Sequence, residues 1–215
     1  MSVSITSTPR LSLLAIFALA VPLSAQTTIF NNFGTGNTYQ TDAGDTGPIG
    51  GSQNGGNAVS FSSPLPGFYT LNQIQIAGTF VTASPDATAS NGLNNLTVAL
   101  WISSTDLNSA TQLETWTLTP PAPPQIAQVF TLTPASSNSP GIVPVFLPGM
   151  NYFITANVQA DGANTAGWLW QQNNLMPNQV GYLLNLNGGP WISVSDTTPV
   201  FSVSGDLIPP LQTSD

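Results

Sequence analysis

Short apolar runs alternate with clusters of Gly, Pro, Asn and Ser along nearly the whole of this chain, and that punctuation restricts its fold more than any other feature. A helix needs an apolar stripe of period 3.6 sustained over several turns. A strand needs only a few residues of period-two alternation between breakers. The clearest alternation is Leu71 to Val81 (LNQIQIAGTFV), in which Leu71, Gln73, Gln75 and Ala77 share one face while Asn72, Ile74, Ile76 and Gly78 share the other. Comparable runs lie at Ile29–Phe33, Ala58–Ser62, Leu96–Ser103, Gln112–Leu118, Gln128–Thr133, Ile142–Phe146, Tyr152–Val158, Gly167–Gln171, Val180–Leu186, Trp191–Val194 and Val200–Val203. About ten to twelve short strands without a convincing helix predict an all-β chain, an antiparallel β-sandwich of jelly-roll-like form.

The nineteen prolines fit the same picture. Pro120, Pro121, Pro123 and Pro124 fall between two strand runs, where they would break a helix or strip a central strand of ladder bonds. The stretch reads as a stiff surface connection within one domain, with an interdomain linker as the alternative. Gly44 to Gly56 reads as a long loop. We expect one sandwich domain over residues 26–207 and a short tail over 208–215. Cysteine is absent, so no disulfide can staple the fold, and stability must come from burial and the hydrogen-bond ladder. Charged residues make up only 5% of the chain, and Asn, Gln, Ser and Thr take their place as polar partners.

Residues 1–25 read as a secretory signal peptide. The only base, Arg10, precedes the apolar run Leu11 to Leu23, which ends in the small residues Ser24 and Ala25. That run is short for a bilayer span, so cleavage after Ala25 is expected, with an uncleaved anchor as the alternative. The destination would be the medium or the cell surface, with no transmembrane segment after cleavage. Beyond Arg10 the chain has no Lys, Arg or His to face its nine carboxylates. Nucleic acid and anionic lipid are thereby excluded as electrostatic partners, because both are held by Lys and Arg.

The same absences restrict chemistry. Without His, Cys or Lys, neither a Ser-His-Asp triad, a thiol nucleophile, a Schiff base nor a common zinc site can be built. A pair of carboxylates would suffice for glycoside hydrolysis, and Glu114, the only glutamate, is the residue such a glycosidase or lyase would use. The alternative is an exposed strand residue, and no catalytic residue is assigned. Calcium suits oxygen ligands from Asp, Asn and loop carbonyls, which the chain offers at Asp42 with Asp45 and at Asp161 with Asn164. Neither segment matches a regular calcium loop, and Asp beside Gly also simply makes turns. Trp168 and Trp170 in GWLWQQ share a face if the segment is a strand, as a sugar-stacking stripe or two core residues would require. Trp191 follows the turn Gly188-Gly189-Pro190 and reads as an exposed ring.

The order of several segments resembles a known type. IFNNFGTGNTYQT, TLNQIQIAGTFV, LTVALWIS with LETWTL, LPGMNYFITANV, GWLWQQ and VFSVSG follow one another as in bacterial exported β-sandwich domains of PEP-CTERM and exosortase-type proteins, often described as choice-of-anchor domains. The resemblance spans nearly all of the chain beyond residue 25 and rests on loose apolar patterns. It implies a jelly-roll-like domain outside the cell, in surface, matrix or biofilm material, and carries over no catalytic residue. The chain departs from that type at DLIPPLQTSD, where a Pro-Glu-Pro motif, a membrane helix and a basic tail would stand; release into the medium or a truncated gene would explain the ending.

The expectation is therefore a non-enzymatic structural or interaction protein, with a glycan or a cell-surface protein as partner. A carbohydrate-binding module is the alternative, and a carboxylate-dependent glycosidase or lyase stands behind it. Trypsin cuts after Lys and Arg, and only Arg10 is present. Digestion of the denatured protein should leave residues 26–215 whole in a mass spectrum, and any internal tryptic fragment contradicts this.

Overall fold

The computed structural model describes residues 26–40, 46–50, 56–63, 66–81, 95–120, 126–158, 167–172, 182–185, 189–194 and 198–210. The expected signal segment lies outside these residues. Each apolar run pairs as a strand, giving β1 (Thr27–Asn31), β2 (Thr46–Gly50), β3 (Gly56–Ser62), β4 (Tyr69–Val81), β5 (Leu96–Ser103), β6 (Thr111–Leu118) and β7 (Gln128–Leu132). The second half adds β8 (Val145–Phe146), β9 (Asn151–Val158), β10 (Gly167–Gln171), β11 (Tyr182–Asn185), β12 (Ile192–Val194) and β13 (Phe201–Leu207). The only helical pieces among the described residues are two single 3-10 turns, Leu107–Ser109 and Pro134–Ser136. No helix there is long and apolar enough to cross a membrane.

Two antiparallel sheets form the sandwich. The seven-stranded sheet runs β1-β13-β4-β10-β2, with β7 and β8 also on β4; the six-stranded sheet runs β12-β11-β3-β9-β5-β6. Gly44 to Gly56 is therefore not one continuous loop, because β2 pairs with β10 from within it. Its sequence, TGPIG, hides the strand, and Pro48 is tolerated because β2 ends the sheet, where a missing N–H costs no ladder bond.

β4 organises the larger sheet. Ile76 pairs with Phe201 of β13 on one side and Phe130 of β7 on the other; Gly78 pairs with Trp170 of β10 and Gln128 of β7. β13 and β10 thus share one edge of β4 end to end, and β7 and β8 share the opposite edge. The expected alternation along β4 holds from Gln73 onward but breaks at Asn72. Ser204 pairs with Gln73 and Gly205 with Leu71, so Asn72 is an extra, bulged residue. The bulge brings Leu71 to the core side with Ile74 and Ile76, although parity alone sets it opposite them. Gly205 sits beside the bulge, where an added Cβ would lie 2.6 Å from the Thr70 carbonyl oxygen and 2.9 Å from Ile29 Cδ1. A side chain there would overpack the junction.

Between the sheets lies one main core. Ile74, Ile76, Phe80, Phe201 and Val203 face Val59, Phe61, Val98, Leu100 and Ile154. Aromatic rings fill its centre: Phe61 and Tyr152 stack with centroids 5.5 Å apart, and Phe146 meets Tyr152 edge-on at 4.9 Å. Smaller clusters cover parts of the outer faces, Phe33, Ala77 and Val200 on the larger sheet and Ala58, Leu107 and Phe153 on the smaller. The segment after β7 is tied to β6 and occupies part of its free edge. Trp116 Nε1 donates to the Thr133 carbonyl at 2.8 Å, Asn138 N donates to the Thr115 carbonyl at 2.8 Å, and Asn138 Nδ2 donates to Thr115 Oγ1 at 2.6 Å.

Tyr152 ties the core to a turn, its hydroxyl accepting from Leu147 N. Burial pushes its titration above the usual range, outweighing the opposing effect of that bond, and burial also raises Tyr39. A raised folded-state value means that the native state holds its proton longer than the unfolded chain. Stability is then complete below about pH 10 and falls as pH climbs through the folded value. Tyr152→Phe should cost about 1 kcal/mol at neutral pH through the lost hydrogen bond and should flatten the decline above about pH 10. Melting temperatures of both proteins across that range test this; parallel alkaline declines would contradict it.

Candidate functional site

The tryptophan pair goes inward. Strand β10 alternates as expected, and both rings lie on the face packed against the other sheet, Trp168 and Trp170 each 1% exposed. Trp168 meets Phe80 and Phe130 edge-on at 5.6 and 5.4 Å, and Trp170 Nε1 donates to the Val200 carbonyl at 2.8 Å. Of the two roles the spacing allowed, these rings take the core one, and their candidacy as sugar-stacking rings is corrected, since a face closed by a second sheet offers a ligand no surface. Trp191 is half-buried on the outer face of the other sheet, packed on the cluster of Ala58, Leu107 and Phe153. Asn108 fixes it, accepting from Trp191 N at 3.0 Å and donating to its carbonyl at 3.3 Å. The three rings therefore form no common platform.

The calcium candidates Asp42, Asp45, Asp161 and Asn164 lie outside the described residues. Among the described residues no three acidic side chains gather to hold a metal ion. Glu114 is described, and at 3% exposure it is buried rather than the exposed strand residue expected as the alternative to a catalytic one. Leu113 is an extra residue opposite Leu100–Trp101, and Glu114 pairs with Leu100 on the core side of β6, two residues before the buried Trp116. Its Oε1 accepts from Thr115 N at 2.9 Å, while Oε2 is buried without a partner. A carboxyl in that position has no open path to a glycosidic bond.

A polar arrangement able to meet a ligand lies on the outer face of the larger sheet. Cross-strand pairing lines up Asn31, Ser202, Gln75 and Thr131 in one row over β1, β13, β4 and β7, and Thr28, Ser204 and Gln73 in the next. Neighbouring strands are about 4.8 Å apart and successive same-face residues about 7 Å, so the rows form a regular lattice of amides and hydroxyls. A groove of about 190 Å³ opens over it, walled by Gln26 and Asn37.

The lattice is internally braced. Ser202 Oγ donates to Gln75 Oε1 at 3.2 Å, and Gln75 Nε2 donates to Thr131 Oγ1 at 3.4 Å. Gln26 Nε2 donates to Asn72 Oδ1 at 3.1 Å, and Asn72 Nδ2 donates to Asp206 Oδ2 at 3.2 Å. The Asn72 bulge thus also supplies the amide that links Gln26 to the nearby carboxylate. Sequence reasoning read Gln73 and Gln75 only as one face of a strand. The signal was the repeated amide in NQIQ facing the serines of FSVSG, and only the register sets them side by side. The sequence matches no family model and no curated protein.

Glu114→Met exchanges one hydrogen bond, worth about 1 kcal/mol, for relief of an unpaired buried oxygen that costs about 1–3 kcal/mol. Urea denaturation should show a gain of about 1 kcal/mol. A clear loss would mean that Oε2 is stabilised in the native protein.

Proposed function

We propose that this chain is an exported bacterial β-sandwich that works by association rather than catalysis, at the cell surface or in matrix or biofilm material. The observation that carries this reading is the outer face of β1, β13, β4 and β7, an array of amides and hydroxyls without a nucleophile and base among them. Such a face can exchange hydrogen bonds with a polar surface, and the carboxylate beside it, Asp206, is engaged in accepting from Asn72 Nδ2 at 3.2 Å. The sequence supports the same reading by lacking His, Cys and Lys throughout. Its resemblance to exported choice-of-anchor domains agrees in location and in the absence of catalytic residues.

A carbohydrate-binding module is the second reading. With Trp168 and Trp170 in the core, it rests on the amide-lined groove rather than on aromatic stacking. The glycosidase reading loses ground because Glu114 is sealed between the sheets.

Expression of the full chain in a bacterial host, followed by fractionation and N-terminal sequencing, tests the proposal. The protein should appear in the medium or surface fraction with Gln26 as its first residue. Recovery solely from the cytoplasm would sink it.

A further inference from the structure

We infer that the groove over β1, β13 and β4 binds an uncharged, hydroxyl-rich glycan. This deepens the proposed function and rests on it for where such a ligand is met, outside the cell. The argument begins with the groups themselves. A carboxamide presents donors and an acceptor side by side, and a sugar's neighbouring hydroxyls both donate and accept, so each can satisfy the other. The groove is lined by carboxamides and hydroxyls, including Gln26, Asn31, Asn37, Gln73, Gln75 and Ser204.

Only part of their hydrogen-bonding capacity is spent within the protein: Gln75 bonds Ser202 and Thr131, and Gln26 bonds Asn72 and Ser204. Gln73, Asn37 and Thr28 make no side-chain hydrogen bond with any described residue. Asn31 uses its Oδ1 to accept from Phe33 N at 2.9 Å, which leaves Nδ2 free to donate. Asn37 is delivered to the groove by a tight turn, closed by Gly34 N donating to the Thr38 carbonyl at 2.9 Å. It holds a φ of 60°, a left-handed conformation that Asn tolerates better than most residues. Gln75 and Gln26 are fixed by their bonds to Ser202 and Asn72, so the side-chain freedom lost when a ligand arrives is that of Gln73, Asn37 and Thr28.

Charge selects the class of sugar. No base lines the groove, Asp206 stands beside it through its bond to Asn72, and the whole chain carries a formal charge of −8. Uronic, sulfated or phosphorylated glycans would meet repulsion with no compensating cation. No aromatic ring among the described residues lines the groove, so the contact rests on hydrogen bonds whose net worth is modest. Binding should therefore be weak for one copy, with Kd about 1 mM.

The test uses the purified exported chain and a panel of linear hexasaccharides: β-1,4-glucose, α-1,4-glucose, β-1,4-mannose and, as the anionic control, galacturonate. Side-chain amide resonances are followed by NMR titration. At least one neutral hexasaccharide should shift the amides of the groove, and hexagalacturonate should not. Gln73→Ala should weaken binding about threefold to tenfold, and adding Asn37→Ala should weaken it further. Gln73→Glu, nearly isosteric, should weaken it without altering the fold, and Gln112→Ala, on the distant strand β6, should change nothing. No shift with any neutral sugar, undiminished binding by the double variant, or equal binding of galacturonate would overturn the inference. Export without sugar binding removes the groove's role and leaves the exported domain standing; sugar binding without export does the reverse.

Discussion

The hydrogen bonds along both edges of β4 hold the larger sheet together. At thirteen residues it is long enough to seat β13 and β10 in succession on one side and β8 and β7 on the other. Because its partners come from distant parts of the sequence, the strand joins segments that no local turn could bring together. Its inner face supplies Ile74, Ile76 and Phe80 to the core, and its outer face supplies Gln73 and Gln75 to the polar lattice. Stability and surface chemistry are thus set by alternate residues of one segment. The Asn72 bulge lets that segment bury Leu71 as well while sending an amide outward.

Much of the architecture was legible because β-structure writes itself as period two. Each apolar run named from the sequence pairs within a sheet, since those runs are bounded by residues that cannot prolong them. β2 was not legible. TGPIG has neither alternation nor β-branched density, and it becomes a strand only because β10 offers an unpaired edge. The fate of the tryptophans was equally hidden, for a pair two residues apart marks one face without saying whether a second sheet covers it. The groove was hidden for the reverse reason: Gln73 and Ser204 are far apart in sequence and become neighbours only through register. A bulge also defeats any parity argument that crosses it, as Leu71 shows.

A chain with almost no cations must satisfy its polar groups differently from most proteins. Amides and hydroxyls bridge the strands here, and indole N–H groups bond main-chain carbonyls, as Trp116 and Trp170 do. Such contacts change little with salt, because neither partner carries a formal charge. Glu114 is the exception, a carboxylate on the core side with one oxygen unanswered. The described contacts give no physical account of why a carboxylate stands there.

Asn138 has a consequence beyond the strand it touches. A sheet that ends in an open strand is a template on which another chain can add itself, and proteins often guard such borders with lysine. Lysine is missing here. By bonding the Thr115 carbonyl through its backbone, with a second hold on the Thr115 hydroxyl through its side chain, Asn138 takes up one ladder position on β6 that an incoming strand would need. One amide residue thereby narrows the stretch of that border open to a further strand.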